Sequence, residues 1–241
     1  MYAVIDRNTP AGTSLSPELY PEGYVMVLDK PYRWTSADAV RKIKFSLKKL
    51  YHQNNVKVGH AGTLDPLATG VLLVCVGKAT KVSEALQAER KEYIAEVTFG
   101  ATTPSFDMEH GVDAYYPWEH ITLDAIAGAL KSMEGEQMQL PPVYSAKYVD
   151  GVRAYEMARQ GEEVELKAAR IHIYGTRIIE YTPPVLKVAV QCSKGTYIRA
   201  FARDLGVALG SGAHLSGLVR TASGGFLIEN ALTMDDFQGR F

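Results

Sequence analysis

The 241-residue sequence is 46% hydrophobic and 22% charged, which excludes a disordered chain and is enough for one sizeable apolar core. Its 26 basic and 27 acidic side chains give a formal charge of -1, so net charge neither favours nor excludes a polyanionic partner. The two cysteines lack the close cysteine or histidine spacing of a disulfide scaffold or a zinc site. No apolar run approaches the roughly 20 residues that span a bilayer, and the first residues lack the pattern of a secretion signal, so we expect a cytoplasmic protein.

The beginning of the chain differs in pattern from the rest. Residues 1–22 contain several prolines and no apolar period, so we predict an N-terminal arm there and one domain over residues 23–241. Within this domain, short continuous apolar runs at 25–28 and 71–76 are typical of buried strands.

Three further segments predict strands. Residues 93–99 alternate with period two, which places Tyr93 on the same face as the apolar residues Ala95, Val97 and Phe99. Strands are also predicted near 170–180 and 185–192.

A helix is predicted after the first buried strand. Thr35 or Ser36 can cap it, and an apolar face recurs at helical spacing in Val40, Ile43, Leu47 and Leu50. The segment 39–64 contains no acidic residue but carries six cations: Arg41, Lys42, Lys44, Lys48, Lys49 and Lys57. This asymmetry is consistent with a surface that binds a polyanion, although basic helix faces are often simply solvated.

Two more helices follow from apolar spacing. The first has its inward positions at Leu123, Ile126, Leu130 and Met133, and the second at Ile198, Phe201, Leu205 and Leu209. Strands and helices alternate without a regular βαβ rhythm, and no phosphate-binding glycine motif is present. The pattern therefore predicts an α+β fold with a mixed, mostly antiparallel central sheet and flanking helices.

The segment 59–70, with the sequence GHAGTLDPLATG, is dense in glycine and holds one aspartate at a bend. Because Asp65 precedes a proline, its backbone is biased towards an extended conformation, and an arginine such as Arg199 could accept its carboxylate in two parallel hydrogen bonds. An aspartate before proline is more often an Asx-turn or a helix cap. The residues alone do not decide between these two interpretations.

Several ordered motifs resemble one known family. Besides GHAGTLDPLATGVL they are LDKP with WTS, GKATK, KEY, PPVYSAK and CSKGTYIR, which together span about residues 24–237. They are similar, in sequence and in order, to the TruB family of tRNA pseudouridine synthases. The resemblance implies conversion of uridine 55 in the tRNA T-loop to pseudouridine by base flipping, aspartate-dependent cleavage of the glycosidic bond and C–C bond formation.

The resemblance also implies an architecture and a set of partners. It implies that the domain over 23–241 is catalytic, with the sheet type of pseudouridine synthases and a cleft across it. No cofactor and no metal are expected. The expected partner is the T-arm stem-loop of tRNA, without a membrane or a required protein partner, and we expect a monomer.

Individual roles follow from the positions that match the family. Asp65 matches the catalytic aspartate, Arg199 matches the arginine that holds it charged, and Tyr93 matches a tyrosine that stacks on the target base and acts near C5. Three more positions match residues near the base: Tyr197 and Leu218 would line the uracil pocket, and His60 would fill the space left by the flipped base. Lys81 matches a lysine that could meet a phosphate.

The chain departs from the family in three places. Arg33 stands where many members have glycine, and Ser105 replaces a threonine. Residues after Arg220 are too few for the C-terminal PUA lobe that many members carry, so we expect no PUA domain. RNA affinity would then come from a basic group in the catalytic domain: Lys42, Lys48, Lys49, Lys194, Arg203 and Arg220.

Three alternatives stay open. The main one is a non-catalytic tRNA-binding or chaperone module that uses the same cleft. The second is a synthase for a different uridine, or an RNA-guided relative. The third is a glycoside hydrolase, which would usually use two paired carboxylates where only one is evident.

Overall fold

A computed structural model describes residues 2–144, 148–149, 152–153 and 166–241. The chain divides into two compact units, which we call unit 1 (Met1–Tyr93 with Val219–Phe241) and unit 2 (Ile94–Leu218).

The strands and helices of the described residues are numbered in chain order. The strands are β1 (Ala3–Ile5), β2 (Tyr24–Lys30), β3 (Val58–Ala61), β4 (Ala68–Val76), β5 (Lys91–Phe99), β6 (Ala101–Thr102), β7 (Ala114–Tyr115), β8 (Gly135–Gln139), β9 (Tyr148–Val149), β10 (Val152–Arg153), β11 (Ala169–Thr182), β12 (Val185–Cys192), β13 (Ala213–Ser223) and β14 (Phe226–Leu227). The helices are α1 (Ser36–Tyr51), α2 (Ser83–Ala88), α3 (Leu123–Ser132), α4 (Ile198–Ala208) and α5 (Met234–Arg240), and short 3-10 turns cover Gly77–Val82 and Ile228–Asn230.

Unit 1 is built on β2 and β4, which pair antiparallel from Tyr24 opposite Val76 to Lys30 opposite Gly70. Strand β3 pairs antiparallel with the second half of β4, and β1 pairs parallel with β2. Both central strands are almost entirely buried, which confirms the two continuous apolar runs as core strands. One face of them forms an apolar cluster, whose members are Val25, Val27, Ala61, Val71, Leu73, Cys75, Ala79, Leu86 and Ala231.

The N-terminal 22 residues hold more structure than an arm. Strand β1 lies within them, and its Ile5 is buried, as is Leu15 further along. Nothing in the sequence pattern predicted this strand, because three residues are too few to show a period.

Helix α1 begins as predicted. The Thr35 side chain accepts from the Asp38 backbone N–H and the Asp38 carboxylate accepts from the Thr35 N–H, which completes a capping box. Ile43 and Leu47 are fully buried, as expected, but Leu50, which lies in the last turn, is 43% exposed.

Unit 2 contains a long strand, β11, that pairs antiparallel with β12 on one side and with β8 on the other. Helix α4 buries Ile198, Phe201 and Leu205 of its predicted apolar stripe, whereas Leu209, the C-cap residue, is half-buried. In α3 the predicted inward residues Ile126 and Leu130 are buried, whereas Leu123, in the first turn, is 51% exposed.

The predicted fold class is confirmed. The strand pairs described above are antiparallel except for β1 with β2, and helices accompany the strands in both units. The alternation predicted for 93–99 is also confirmed, because β5 buries every second residue from Lys91 to Phe99. None of the helices in the described part of the chain is long and apolar enough to cross a membrane. The cleft across the sheet stays a prediction.

Candidate active site

The glycine-dense segment folds as the end of β3, a loop at 62–67 and the start of β4. Gly62 and Gly70 have φ angles of 90° and 100°, a left-handed conformation that glycine adopts without steric cost. At Gly70 the backbone of β13 is also very close, since a Cβ there would lie 2.2 Å from the carbonyl oxygen of Arg220. A side chain at position 70 would therefore collide with the backbone of β13.

A buried serine fixes the residue that precedes Asp65. The Ser36 hydroxyl accepts from the Leu64 N–H at 2.9 Å and donates to the Leu64 carbonyl at 3.1 Å. Leu64 is itself 3% exposed, so its side chain anchors the loop in unit 1. The next residue, Asp65, is half-buried, and its carbonyl accepts from the N–H of Ala68 to close a turn.

Arg220 holds both ends of this loop from inside unit 1. Its side chain is 1% exposed, and Nε donates to the carbonyl of Val71 at 2.7 Å. The two terminal nitrogens donate to the carbonyls of Gly62 at 3.1 Å and Thr63 at 3.4 Å. The prediction that Arg220 contacts an RNA phosphate is therefore wrong, because the guanidinium is buried and directed at the backbone of the loop.

Lys30 is a second buried cation beneath the loop. Its fully buried ammonium donates to three carbonyls, those of Pro31, Trp34 and Pro66, at 2.9, 2.5 and 3.3 Å. Burial lowers the pKa of Lys30 to about 8; the negative charge of Asp65 opposes this shift and the positive charge of Arg220 adds to it. Lys30 thus interacts electrostatically with Asp65 and also binds the carbonyl of the residue that follows it.

The backbone at Arg33 supports the same bend. Its N–H donates to the Pro66 carbonyl at 2.8 Å, and its φ angle is 65°. This left-handed conformation is unfavourable for a side chain with a Cβ, which gives a physical reason for glycine at this position in similar sequences. The arginine here retains the conformation and places its guanidinium 5.7 Å from the ring centre of Tyr32.

Two other predicted residues of unit 1 are Tyr93, which is buried, and His60, which is half-buried. Tyr93 lies on the buried face of β5 and is 8% exposed. His60 lies on β3, and its buried Nδ1 has no hydrogen-bond partner among the described residues. Burial, and after it the charge of Arg220, lowers the pKa of His60, which favours the neutral imidazole near pH 7. A buried unpartnered ring nitrogen is a polar group that a ligand could satisfy.

The basic residues of α1 lie mostly at the surface. Lys49 is exposed, with Nζ 4.6 Å from the ring centre of Phe45, while Lys42 and Lys48 are half-buried. An open groove beside them is lined by Arg33, Trp34, Asp38, Arg41, Lys42 and Phe45. Lys81, in the 3-10 turn, is also exposed.

In unit 2, Arg199 lies in the first turn of α4 and is 4% exposed. Its Nε lies 3.7 Å from Oδ2 of Asp107, and one terminal nitrogen donates to the carbonyl of Ser105 at 3.3 Å. The Asp107 carboxylate is held in turn by the Ser105 hydroxyl at 2.6 Å and the Glu109 N–H at 2.9 Å. Serine in place of threonine at 105 therefore keeps the hydroxyl that orients Asp107.

Asp107 was not among the predicted site residues. In the sequence it is one of several acidic residues between positions 101 and 139. Its contact with Arg199 makes it a positioning residue for that guanidinium.

The remaining predicted residues of unit 2 differ in exposure. Tyr197 precedes α4, and its N–H and carbonyl are both bonded by the buried side-chain amide of Gln139. Leu218 is half-buried on β13, and Lys194 is exposed in a turn. Arg203 donates to Asp204 and to the Leu140 carbonyl, and lies over the Phe106 ring, so part of its predicted phosphate-binding capacity is already used within the unit.

The structure thus assembles two groups. Asp65, His60 and Tyr93 belong to unit 1, and Arg199, Tyr197 and Leu218 belong to unit 2. That these groups act together stays a prediction. The motif residues 145–147 lie outside the described part of the chain.

Comparison with known families defines the class of protein. Residues 48–198 match the TruB family pseudouridylate synthase N-terminal domain, and residues 199–241 match the tRNA pseudouridylate synthase B C-terminal domain. The chain belongs to the TruB family.

Individual relatives agree with this assignment. The chain is 52% identical to the tRNA pseudouridine synthase B of Phocaeicola vulgatus, over 90% of this chain and 93% of the relative. The protein of the same name from Flavobacterium johnsoniae is 45% identical over 93% of this chain and 98% of its own length.

Among solved structures, this chain is similar to a chain of a Cbf5-Nop10-Gar1 complex, with a TM-score of 0.69 and 31% identity over 96% of this chain. A chain of an H/ACA RNP bound to a substrate RNA containing 2'-deoxyuridine gives a TM-score of 0.65 and 30% identity over 95% of this chain. This chain spans 59% and 57% of those two chains, respectively.

Proposed function

We propose that this protein converts uridine 55 in the T-loop of tRNA to pseudouridine. The N1–C1′ glycosidic bond breaks and a C5–C1′ bond forms, C5 loses a proton and N1 gains one. The reaction is an isomerisation with no net oxidation or reduction, so these steps require no electron carrier. The relatives named tRNA pseudouridine synthase B, similar over nearly their whole length, support tRNA as the substrate.

The observation that carries the proposal is the construction of the Asp65 loop. Its carbonyls are bonded by two buried cations, Lys30 and Arg220, and its preceding residue is bonded twice by Ser36. A half-buried carboxylate near buried positive charge suits a nucleophile, or a group that assists departure of the base. A surface that only binds RNA does not require buried cations at this loop, which argues against the non-catalytic alternative.

The other residues would act on the base. Tyr93 would stack on the extruded uracil and act near C5, while Tyr197 and Leu218 would line its pocket. His60, whose neutral ring has a free buried nitrogen, would occupy the gap that the base leaves. Arg199, aimed by Asp107, would bind the Asp65 carboxylate.

The proposal also covers how the tRNA is bound, the oligomeric state and the cellular location. The T-arm would be bound by the basic residues of α1 together with Lys194, by a monomer that works in the cytoplasm and needs no protein partner. This basic surface of the catalytic domain would supply most of the affinity.

An assay of position tests the proposal directly. The protein is incubated with an unmodified tRNA transcript, and pseudouridine is mapped by carbodiimide treatment and primer extension. A transcript with cytidine at position 55 is the matched control. A stop at position 55 in the first transcript alone supports the proposal; binding without any stop supports the non-catalytic alternative, and a stop elsewhere supports a different target uridine.

A further inference from the structure

A cavity of about 350 Å³ opens in unit 1 at the other end of β4 from the Asp65 loop. Strand β4 begins at Ala68, next to the loop, and ends at Val76, which lines the cavity. At the rise of an extended strand, these two residues are about 26 Å apart. The cavity is therefore separate from the loop, and its volume lies in the range of small-molecule sites.

Aromatic rings form much of the cavity wall. Tyr20, Tyr24 and Tyr51 all line it, and the rings of Tyr20 and Tyr24 meet edge to face at 5.4 Å. Exposed Gln53 and Asn55 lie at its edge and carry amides that can donate and accept hydrogen bonds. Aromatic faces with nearby amides are suited to a planar heterocyclic base.

The tyrosine hydroxyls leave one donor unused. Tyr24 and Tyr51 hydrogen bond to each other through their hydroxyls at 2.8 Å, and only one of the two can be the donor. The other keeps its hydrogen, and no acceptor for it occurs among the described residues. Burial raises the pKa of both tyrosines, so both hydroxyls are protonated near neutral pH.

The rim of the cavity is positively charged. Lys57, Lys78 and Lys81 line it, and only Lys78 has a carboxylate partner in the described residues, Glu22 at 2.9 Å. Lys57 and Lys81 are exposed and form no ion pair or side-chain hydrogen bond within the described ranges. Lys81 also interacts electrostatically with Glu22, so three ammonium groups at the rim face this one carboxylate and leave a net positive charge that a phosphate would complement.

We propose that this cavity binds a nucleotide, with the base against the tyrosines and the phosphate near Lys57 and Lys81. Nucleotide chemistry can come from two sources: an unpaired nucleotide of the RNA substrate, or a free mononucleotide. The first source rests on the proposed function, whereas the second is independent of it.

The probes are adenosine 5′-monophosphate, adenosine and inorganic phosphate, titrated into the full chain by calorimetry. Adenine is chosen because the proposed reaction acts on uridine, so binding at the Asp65 loop is not measured. Neither turnover nor RNA is needed, so a failed assay for pseudouridine leaves this experiment valid.

Two variants separate the parts of the cavity. The double variant Lys57→Ala/Lys81→Ala is expected to lower the affinity for adenosine monophosphate by about tenfold. Its affinity for adenosine should stay the same, because only the phosphate contact is lost. Tyr20→Leu is expected to lower the affinity for both ligands by about tenfold. This loss lies in the lower part of the range for stacking of a base on an aromatic side chain. Lys131→Ala, which removes an exposed lysine paired with Glu134, is the control and is expected to change neither.

The source is decided with tRNA. If the RNA supplies the nucleotide, Tyr20→Leu raises the KM for tRNA without changing kcat, and excess adenosine monophosphate competes with tRNA. If a free nucleotide is the ligand, KM stays the same. Absence of nucleotide binding at millimolar concentration, or equal binding by the wild type and both variants, overturns the proposal.

Discussion

Buried cations are held in different ways in the two units. In unit 1, Lys30 and Arg220 donate to backbone carbonyls, which are neutral, in each of the side-chain hydrogen bonds described above. In unit 2, Arg199 lies beside a buried carboxylate, Asp107, which is itself oriented by a serine hydroxyl and a backbone N–H.

This difference separates two physical tasks. Carbonyl dipoles hold a cation in place without cancelling its charge, so Lys30 and Arg220 still attract a negative group at the loop. A carboxylate partner reduces the net charge but fixes the direction of the guanidinium plane. The comparison therefore assigns electrostatic support of the loop to unit 1 and orientation of a single arginine to unit 2.

The largest effect is expected at Asp65, the acid of the loop that the unit 1 cations support. Asp65→Asn keeps the size of the side chain but removes its charge, and should lower turnover of tRNA by at least about 10³-fold. Tritium release from tRNA labelled at uridine C5 measures it. Binding of tRNA should stay within about tenfold, because phosphate contacts supply most of the affinity. Retained turnover would remove Asp65 from the mechanism.

Removing a carbonyl-held cation should come next. Arg220→Met leaves the carbonyls of Gly62, Thr63 and Val71 without their donor, which should lower the free energy of unfolding by about 3 kcal/mol. Urea denaturation measures it, with the exposed Arg177→Met as the matched control. Arg220→Lys keeps the positive charge but lacks the planar set of guanidinium donors. We therefore expect its free energy of unfolding to lie between those of the wild type and Arg220→Met. Equal stability of Arg220→Met and the wild type would contradict the support assigned to this side chain.

A smaller effect is expected for the carboxylate partner in unit 2. Asp107→Asn removes the negative charge that orients the Arg199 guanidinium, so the guanidinium is held less firmly in place. Misplacement of a reacting group by about 1 Å can lower the rate by up to about 100-fold. We expect kcat to fall by about tenfold or more with little change in KM, while the exposed Asp124→Asn changes neither. A lower melting temperature with unchanged kcat would reduce Asp107 to a purely structural role.

RNA affinity provides a fourth comparison between the units. Alanine at Lys42, Lys48 and Lys49 of unit 1 should reduce the slope of log affinity against log salt by about 2 if all three contact phosphates. The control is alanine at three cations of unit 2, Lys131, Arg177 and Lys187, which should leave the slope unchanged. An unchanged slope in the α1 variant would place the RNA on another face.

The smallest effect is a pH dependence that arises in unit 1. Because the pKa of His60 is lowered from 6.5, the unfolded chain binds more protons than the folded chain between the lowered value and pH 6.5. The free energy of unfolding should therefore fall as the pH decreases through this window. Above pH 6.5 this loss of stability should be absent. His60→Gln should flatten the profile, measured by urea denaturation from pH 5 to 8. A profile with the same slope in both proteins would mean that other groups control it.

The core of the fold could be predicted because its signals are local. Continuous apolar runs predicted β2 and β4, and the helical spacing of Ile43 and Leu47 predicted the buried face of α1. The failures are at helix ends, at Leu50 and Leu123, where spacing says nothing about whether a neighbouring element extends far enough to cover the side chain.

The site was predicted less evenly. The glycines and the Asp-Pro step marked the loop, but the function of Asp65 came from resemblance and not from pattern. Arg220 was taken for a surface cation because a sequence does not reveal that an arginine is buried when its partners are carbonyls 149 to 158 residues away. The carboxylate of Asp107 was missed because its contact with Arg199 joins residues 92 positions apart in the sequence.

The origin of unit 1 in two separate stretches of chain affects when the loop takes shape during synthesis. Arg220 follows Thr63 by 157 residues, and at 5–20 residues per second a ribosome needs on the order of ten seconds to add them. Until then the acidic bend lacks its guanidinium support. The nascent chain therefore gains a supported Asp65 loop only late in translation, after all of unit 2 has been made.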